Sequence, residues 1–166
     1  MTIKICLFGG PGVGKTSIIQ KSLGYPIPKV YDPDIGYGAT QIQIGEKIYD
    51  VWDCAGCEPM DEIHAWTRDL DLAIVVTDPQ ASVQPWLGSL QNLFPKIPLI
   101  ICMNKADTIK GIPLIETDIP FVLISAKHDL DLHPFWKLIQ KLLIENLSPL
   151  YMASRHNFKD DQSEKA

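Results

Sequence analysis

The chain has 166 residues, of which 20 are Asp or Glu and 15 are Lys or Arg, for a formal net charge of -5. That length suits one well-buried domain and is too short for two of ordinary size. With 46% hydrophobic and 21% charged residues the composition is that of a globular protein, and its acidic balance excludes a broad nucleic-acid surface, which needs concentrated Lys and Arg.

From the N-terminus, the apolar run 3–8 predicts a buried strand, and 17–23 has helical periodicity. Between them lies Gly9-Gly10-Pro11-Gly12-Val13-Gly14-Lys15-Thr16. Strand, glycine-rich turn, Gly-Lys-Thr and helix make the phosphate-binding P-loop pattern, with Gly9 and Gly14 at the required spacing. Glycines let the backbone curl round an anion, so successive N–H groups point inward at the positive end of the helix. Lys15 is placed to reach the terminal phosphates, and the Thr16 hydroxyl to take a magnesium ion. Pro11 contributes no N–H; it either stiffens the loop or is simply tolerated there.

Residues 24–38 are rich in Pro, Tyr and Gly, which predicts a long loop beside the phosphate site. Loops of this length in a small domain are usually functional. Residues 39–44 and 47–52 alternate around Gly45-Glu46 and predict a hairpin. Its second strand ends at Asp53-Cys54-Ala55-Gly56. Beside a P-loop such an Asp can hold a magnesium-bound water, and the Gly56 N–H can sense a third phosphate. Residues 58–69 predict a polar helix or loop, 72–76 a buried strand, and 86–94 a helix closed by Pro95.

The strand 99–103 runs into Asn104-Lys105-Ala106-Asp107. A carboxylate there can accept two parallel hydrogen bonds from the ring N–H and amino group of guanine, a pair adenine does not offer, so Asp107 is a candidate base selector. The Lys105 stem can lie along the base. The last strand, 121–124, ends in Ser125-Ala126-Lys127, where a backbone N–H can meet the guanine O6. A final helix is predicted over 132–147, burying Phe135, Leu138, Ile139, Leu142 and Leu143, with Asp129 or Asp131 as its cap.

Beyond it the tail is polar, and its last ten residues carry the composition of a disordered segment. No apolar run has the length of a membrane span, and neither terminus shows a signal-peptide or lipidation pattern. Cys6 and Cys102 fall in predicted core strands, which fits reduced packing. The expectation is a cytoplasmic protein with no intrinsic membrane anchor and no nucleic-acid partner.

Four motifs in this order, 9–16, 53–56, 104–107 and 125–127, resemble those of the Ras superfamily of small GTPases. The resemblance covers about 3–147. It implies an α/β P-loop NTPase fold with a six-stranded, mostly parallel sheet flanked by helices and one antiparallel edge. The implied GTPase domain spans 1–147, with 148–166 as tail. It implies binding of GTP or GDP with Mg²⁺: Gly12, Val13, Gly14, Lys15, Thr16 and Ser17 wrap the phosphates, and Asn104, Lys105, Asp107, Ser125, Ala126 and Lys127 hold guanine. Thr16 would bind Mg²⁺ directly and Asp53 through water. Residues 29–40 and 56–69 would be the switches that order around the γ-phosphate and contact protein effectors, a GTPase-activating protein or an exchange factor. Catalysis of GTP hydrolysis would involve Lys15, Gly56 and the residue after it.

The sequence departs from the family pattern in several places. Only thirteen residues, 108–120, separate the Asn-Lys-x-Asp motif from the last strand, and Pro113 lies among them, so the helix usual there is expected to be missing or reduced to a turn. Nineteen positions separate Asp34 from Asp53, a short spacing like that of Arf proteins. Cys57 stands where most of the family has the glutamine that orients the attacking water, which predicts slow hydrolysis. Asp34 replaces the threonine that binds Mg²⁺ in the GTP state; it either ligates the ion or leaves the first switch open. The aromatic neighbour of guanine falls to Tyr25 or Tyr31. Cys54 and Cys57 also form a C-x-x-C pair, a competing redox or zinc reading. The alternative to a cycling switch is a nucleotide-stabilised scaffold deficient in hydrolysis.

Overall fold

The computed structural model describes residues 2–25, 38–54, 69–111, 117–129 and 131–146. In chain order these form β1 (Thr2–Phe8), α1 (Lys15–Ser22), β2 (Gly38–Ile44), β3 (Lys47–Asp53), β4 (Leu72–Thr77), α2 (Gln84–Leu93), β5 (Leu99–Met103), a 3-10 turn (Ala106–Thr108), β6 (Phe121–Leu123) and α3 (His133–Asn146). The strands make one six-stranded sheet in the order β2-β3-β1-β4-β5-β6. β2 pairs antiparallel with β3, and every other pairing is parallel. This is the α/β P-loop architecture that the motifs imply.

β4 is a continuous apolar run up to Thr77, and β1 is apolar but for Thr2 and Lys4, because both faces of the central sheet are covered. Strand alternation sends Ile3, Ile5, Leu7, Ile74 and Val76 to one face, where they pack with Ile18 and Ile19 of α1 and Phe135, Ile139 and Leu143 of α3. Cys6, Phe8, Ala73, Val75 and Ile101 point to the other face and meet Leu87 and Leu90 of α2. Phe8 and Tyr49 are fully buried, the Phe8 burial contributing ~1.5–3 kcal/mol. The strand that feeds the phosphate loop is therefore clamped in the middle of the core.

Element ends shift by at most two residues from the sequence expectation. Trp136 joins the buried face of α3 because its indole Nε1 donates to Ser22 Oγ at 3.0 Å, while Leu138 is only half-buried. Asp131 caps α3, its Oδ1 accepting from the His133 N–H at 3.0 Å. Asp129, the other candidate cap, instead accepts the Ser125 N–H at 2.7 Å.

Between β5 and β6, the helical structure among the described residues is the single 3-10 turn, as the short spacing predicts. Because β6 pairs Phe121 with Ile101, and Leu123 with Met103, both aim toward the α2 face. No helix among the described residues between β5 and β6 covers them, and they are 41% and 39% exposed. A groove of about 350 Å³ lies at the foot of the same face, lined by Leu90, Phe94, Ile97, Leu99 and Ile119 among others. The predicted tail, the loop residues 26–37 and the segment 55–68 lie outside the described residues.

Candidate functional site

The carboxyl ends of β1, β3, β4, β5 and β6 deliver every described site residue to one edge of the sheet, the edge at which open α/β sheets bind ligands. β1 runs into the glycine loop. Gly9 has φ +144° and lies so close to β4 that a Cβ there would sit 2.2 Å from the Val76 carbonyl oxygen. Gly14 has φ +100° and precedes α1; a Cβ on it would meet Asn104 Nδ2 at 2.2 Å. The intervening Gly12 (φ +74°) borders open space, so the loop is pinned at both ends and open at its middle.

Lys15 begins α1 and is buried, its Nζ donating to the Gly9 and Gly10 carbonyls at 2.9 Å each. No side chain caps the N-terminus of α1, and its first turn contains no acid. The leading N–H groups of the helix, including those of Thr16 and Ser17, are thus oriented for an anion. Val13 is buried beneath the loop and Pro11 is exposed on it, which fits a tolerated loop proline.

The Thr16 hydroxyl donates to Asp53 Oδ2 at the end of β3. A hydroxyl and a carboxylate from two elements thus meet at one point, the hard oxygen donors that magnesium requires. Both the phosphate loop and this oxygen pair fit a magnesium-bound nucleotide. Among the described residues, no group of three or more His, Cys, Asp or Glu side chains is placed to hold a metal, so nothing there supports a zinc site. Cys54 is buried beside Asp53. Burial, and then a hydrogen bond with Cys54, push the Cys6 thiol well above its usual range. Cys54 is therefore partnered inside the core, and Cys57 falls outside the described residues.

The Asn-Lys-x-Asp loop is bolted to the glycine loop. Asn104 is buried; its Nδ2 donates to the Val13 carbonyl and its Oδ1 accepts the Ala126 N–H, both at 3.0 Å. Lys105 adopts the left-handed region (φ +57°) and donates through Nζ to the Gly12 carbonyl at 2.8 Å. Asp107 stands exposed at the rim, accepting the Ser125 hydroxyl at 2.6 Å, with His128 Nε2 at 3.4 Å. The Ser125 bond, helped by the charges of His128 and Lys127 and opposed by desolvation, holds the Asp107 carboxyl below its usual range. An ionised carboxylate with open lone pairs is the acceptor that guanine's two N–H groups need. Lys127 is exposed in the turn after Ala126.

The structure therefore gathers Gly12, Val13, Gly14, Lys15, Thr16, Ser17, Asp53, Asn104, Lys105, Asp107, Ser125, Ala126 and Lys127 at one edge. Asp34, Gly56, Cys57 and Tyr31 lie outside the described residues, and Tyr25 is 62% exposed. One residue of the site escaped the sequence reading. Asp78, at the end of β4, pairs through Oδ2 with Lys105 Nζ at 2.8 Å. Its signal in the sequence is an Asp-Pro step directly after a buried strand.

The family model described as "Roc: Ras of Complex, Roc, domain of DAPkinase" matches residues 4–107, more than half of the chain. The chain belongs to the Roc family. It is a Ras-superfamily small GTPase domain, as the motifs imply. The Roc match takes in the phosphate loop, Asp53 and the Asn-Lys-x-Asp motif, and ends before Ser125. Two Arabidopsis thaliana proteins are similar over longer stretches. Ras-related protein RABG3a is 27% identical over 87% of this chain and 83% of its own length. Ras-related protein RABG3c is 26% identical over 78% of this chain and 59% of its own length. In fold, the chain matches a solved structure of the Roco2 RocCORdC fragment of Methanosarcina barkeri bound to GDP, with a TM-score of 0.65 and 21% identity. That match covers 87% of this Roc chain but spans about half (49%) of the Roco2 chain.

Proposed function

We propose that this Roc-family chain is a guanine-nucleotide-dependent molecular switch that binds GTP and GDP with Mg²⁺, hydrolyses GTP slowly and presents its bound state to protein partners. The observation that carries this reading is the junction of base and phosphate loops: Asn104 and Lys105 bond directly to Val13 and Gly12, while Asp107 stands ionised at the rim. In the proposal, residues 1–147 form the nucleotide-binding domain. Gly12, Val13, Gly14, Lys15, Thr16 and Ser17 hold the phosphates, and Asp107 with Ser125, Ala126 and Lys127 selects guanine. Thr16 and Asp53 would hold Mg²⁺, which supplies positive charge against the phosphate oxygens.

Slow turnover is supported by Cys57, whose thiol is too short and too weak a hydrogen-bonding group to orient a water as an amide does. Asp34 supports a first switch that closes loosely, because a carboxylate near a third phosphate adds like-charge repulsion. These two residues also favour the second reading, a hydrolysis-deficient scaffold stabilised by its nucleotide. Effectors, an activating protein and an exchange factor would engage residues 29–40 and 56–69. The free, buried thiols of Cys6, Cys54 and Cys102 fit the reducing cytoplasm as the setting.

Identifying the nucleotide carried by the purified protein, and following one turnover of GTP, tests the proposal. Guanine nucleotide with measurable slow conversion to GDP is expected, and Asp107→Ala should erase the preference for GTP over ATP. An adenine nucleotide in the pocket would overturn the reading. GTP retained without turnover, with one partner-binding state, would favour the scaffold.

A further inference from the structure

Asp78 is the charged group at the site for which neither motif nor phosphate chemistry accounts. It is buried, and its two oxygens do different work. Oδ1 accepts the N–H groups of Gln80 and Ala81 at 3.0 Å each. Pro79 fixes the backbone between them, and Thr77 Oγ1 donates to the Ala81 carbonyl at 3.1 Å. The carboxylate is thus locked by its own turn before it meets anything else.

Oδ2 then takes the ammonium of Lys105 at 2.8 Å, and the same ammonium donates to the Gly12 carbonyl at 2.8 Å. Lys105 is otherwise a poor candidate for a fixed position, since its side chain is 43% exposed and long flexible stems favour the freedom of water. Two anchors from two different elements remove that freedom. Burial opposes ionisation of Asp78, but the Lys105 bond and the turn N–H groups outweigh it and hold the carboxyl below its usual range.

We propose that Asp78 is a positioning residue for nucleotide retention: it holds Lys105 against the phosphate loop at Gly12 and so slows the departure of the bound nucleotide. The inference rests on the guanine-nucleotide reading above. Its sign is not trivial. A carboxylate near a phosphate site repels phosphate, so if Asp78 acted through its charge alone, removing it would tighten binding.

The test measures release of a fluorescent GDP analogue from the Mg²⁺-loaded full chain, in the parent, Asp78→Asn, Lys105→Met and the double variant. Asn can keep its oxygen on the turn N–H groups but then offers Lys105 an amide NH₂. Asp78→Asn should speed release on the order of tenfold, as expected for loss of a charge-assisted bond discounted for exposure. It should add nothing in the Lys105→Met background. Unchanged or slower release, or an equal effect in both backgrounds, overturns the proposal. Hydrogen exchange measured without nucleotide gives an independent readout. Asp78→Asn should accelerate exchange in residues 9–16 and leave residues 84–93 unchanged; equal loosening of both means that Asp78 only supports its turn, which also overturns it. A parent that binds no guanine nucleotide refutes the parent reading, whereas exchange at 9–16 still reports whether Asp78 tethers Lys105 to the loop.

Discussion

Replacing Asn104 by Ala should destabilise the protein even with no nucleotide present. The side chain spans from the Val13 carbonyl to the Ala126 N–H, and all three residues are buried. Asn104→Ala leaves one carbonyl and one N–H facing a small void. Each orphaned buried group costs ~1–3 kcal/mol, so the two together amount to roughly 2–6 kcal/mol. A water entering the space would bring the cost to the lower end. For a chain of this size about 2–4 °C of melting temperature is lost per kcal/mol, giving a drop of roughly 4–24 °C. Thermal melting in EDTA after enzymatic removal of nucleotide isolates this term from any contact with a base. A melting temperature within about 2 °C of the parent would refute the view that Asn104 is a strut of the fold as well as part of a pocket.

Three further outcomes are expected. Gly9→Ala should abolish soluble expression, because its Cβ would lie 2.2 Å from the Val76 carbonyl oxygen, whereas Gly12→Ala meets no neighbour and bears only left-handed strain of ~1–2 kcal/mol; soluble expression of Gly9→Ala at the level of Gly12→Ala would contradict this. Cys57→Gln should raise single-turnover GTP hydrolysis, and a rate no faster than the parent's removes the explanation offered for slow turnover. The Asp78 carboxyl lies below its ordinary 3.8, so its stabilising contribution is complete above that value and is lost as pH falls through the lower, folded one. Melting temperature should therefore drop less steeply below about pH 4 in Asp78→Asn than in the parent; parallel profiles would refute it.

The sheet was legible in the sequence because burial on both faces writes continuous apolar runs, as in 72–76 and 99–103. The glycine loop and the Asn-Lys-x-Asp motif were legible because backbone geometry demands glycines at Gly9 and Gly14, and the proposed selection of guanine calls for a carboxylate at Asp107. Asp78 was not, since an Asp-Pro step after a strand is the ordinary spelling of a turn. Its second role appears only when Lys105, 27 residues later, folds against it. Trp136 was missed for a similar reason: its partner, Ser22, lies 114 residues away. Position within a motif is a local property and can be read along the chain, whereas a tether between two loops exists only in three dimensions.

The bonds that fasten the phosphate loop carry a consequence for how the chain is made. Val13 and Gly12 are held by Asn104 and Lys105, 91 and 93 residues downstream, and Asn104 itself waits for Ala126. At ~5–20 residues per second, a ribosome that has released the glycine loop needs on the order of 5–20 s more before Ala126 emerges. During that interval the loop has its sequence but not its fastenings, and contacts so distant along the chain are late to form. Nucleotide can therefore act on folding only as a final lock. A nascent chain arrested before β6 should be unable to retain it, however complete its first motif.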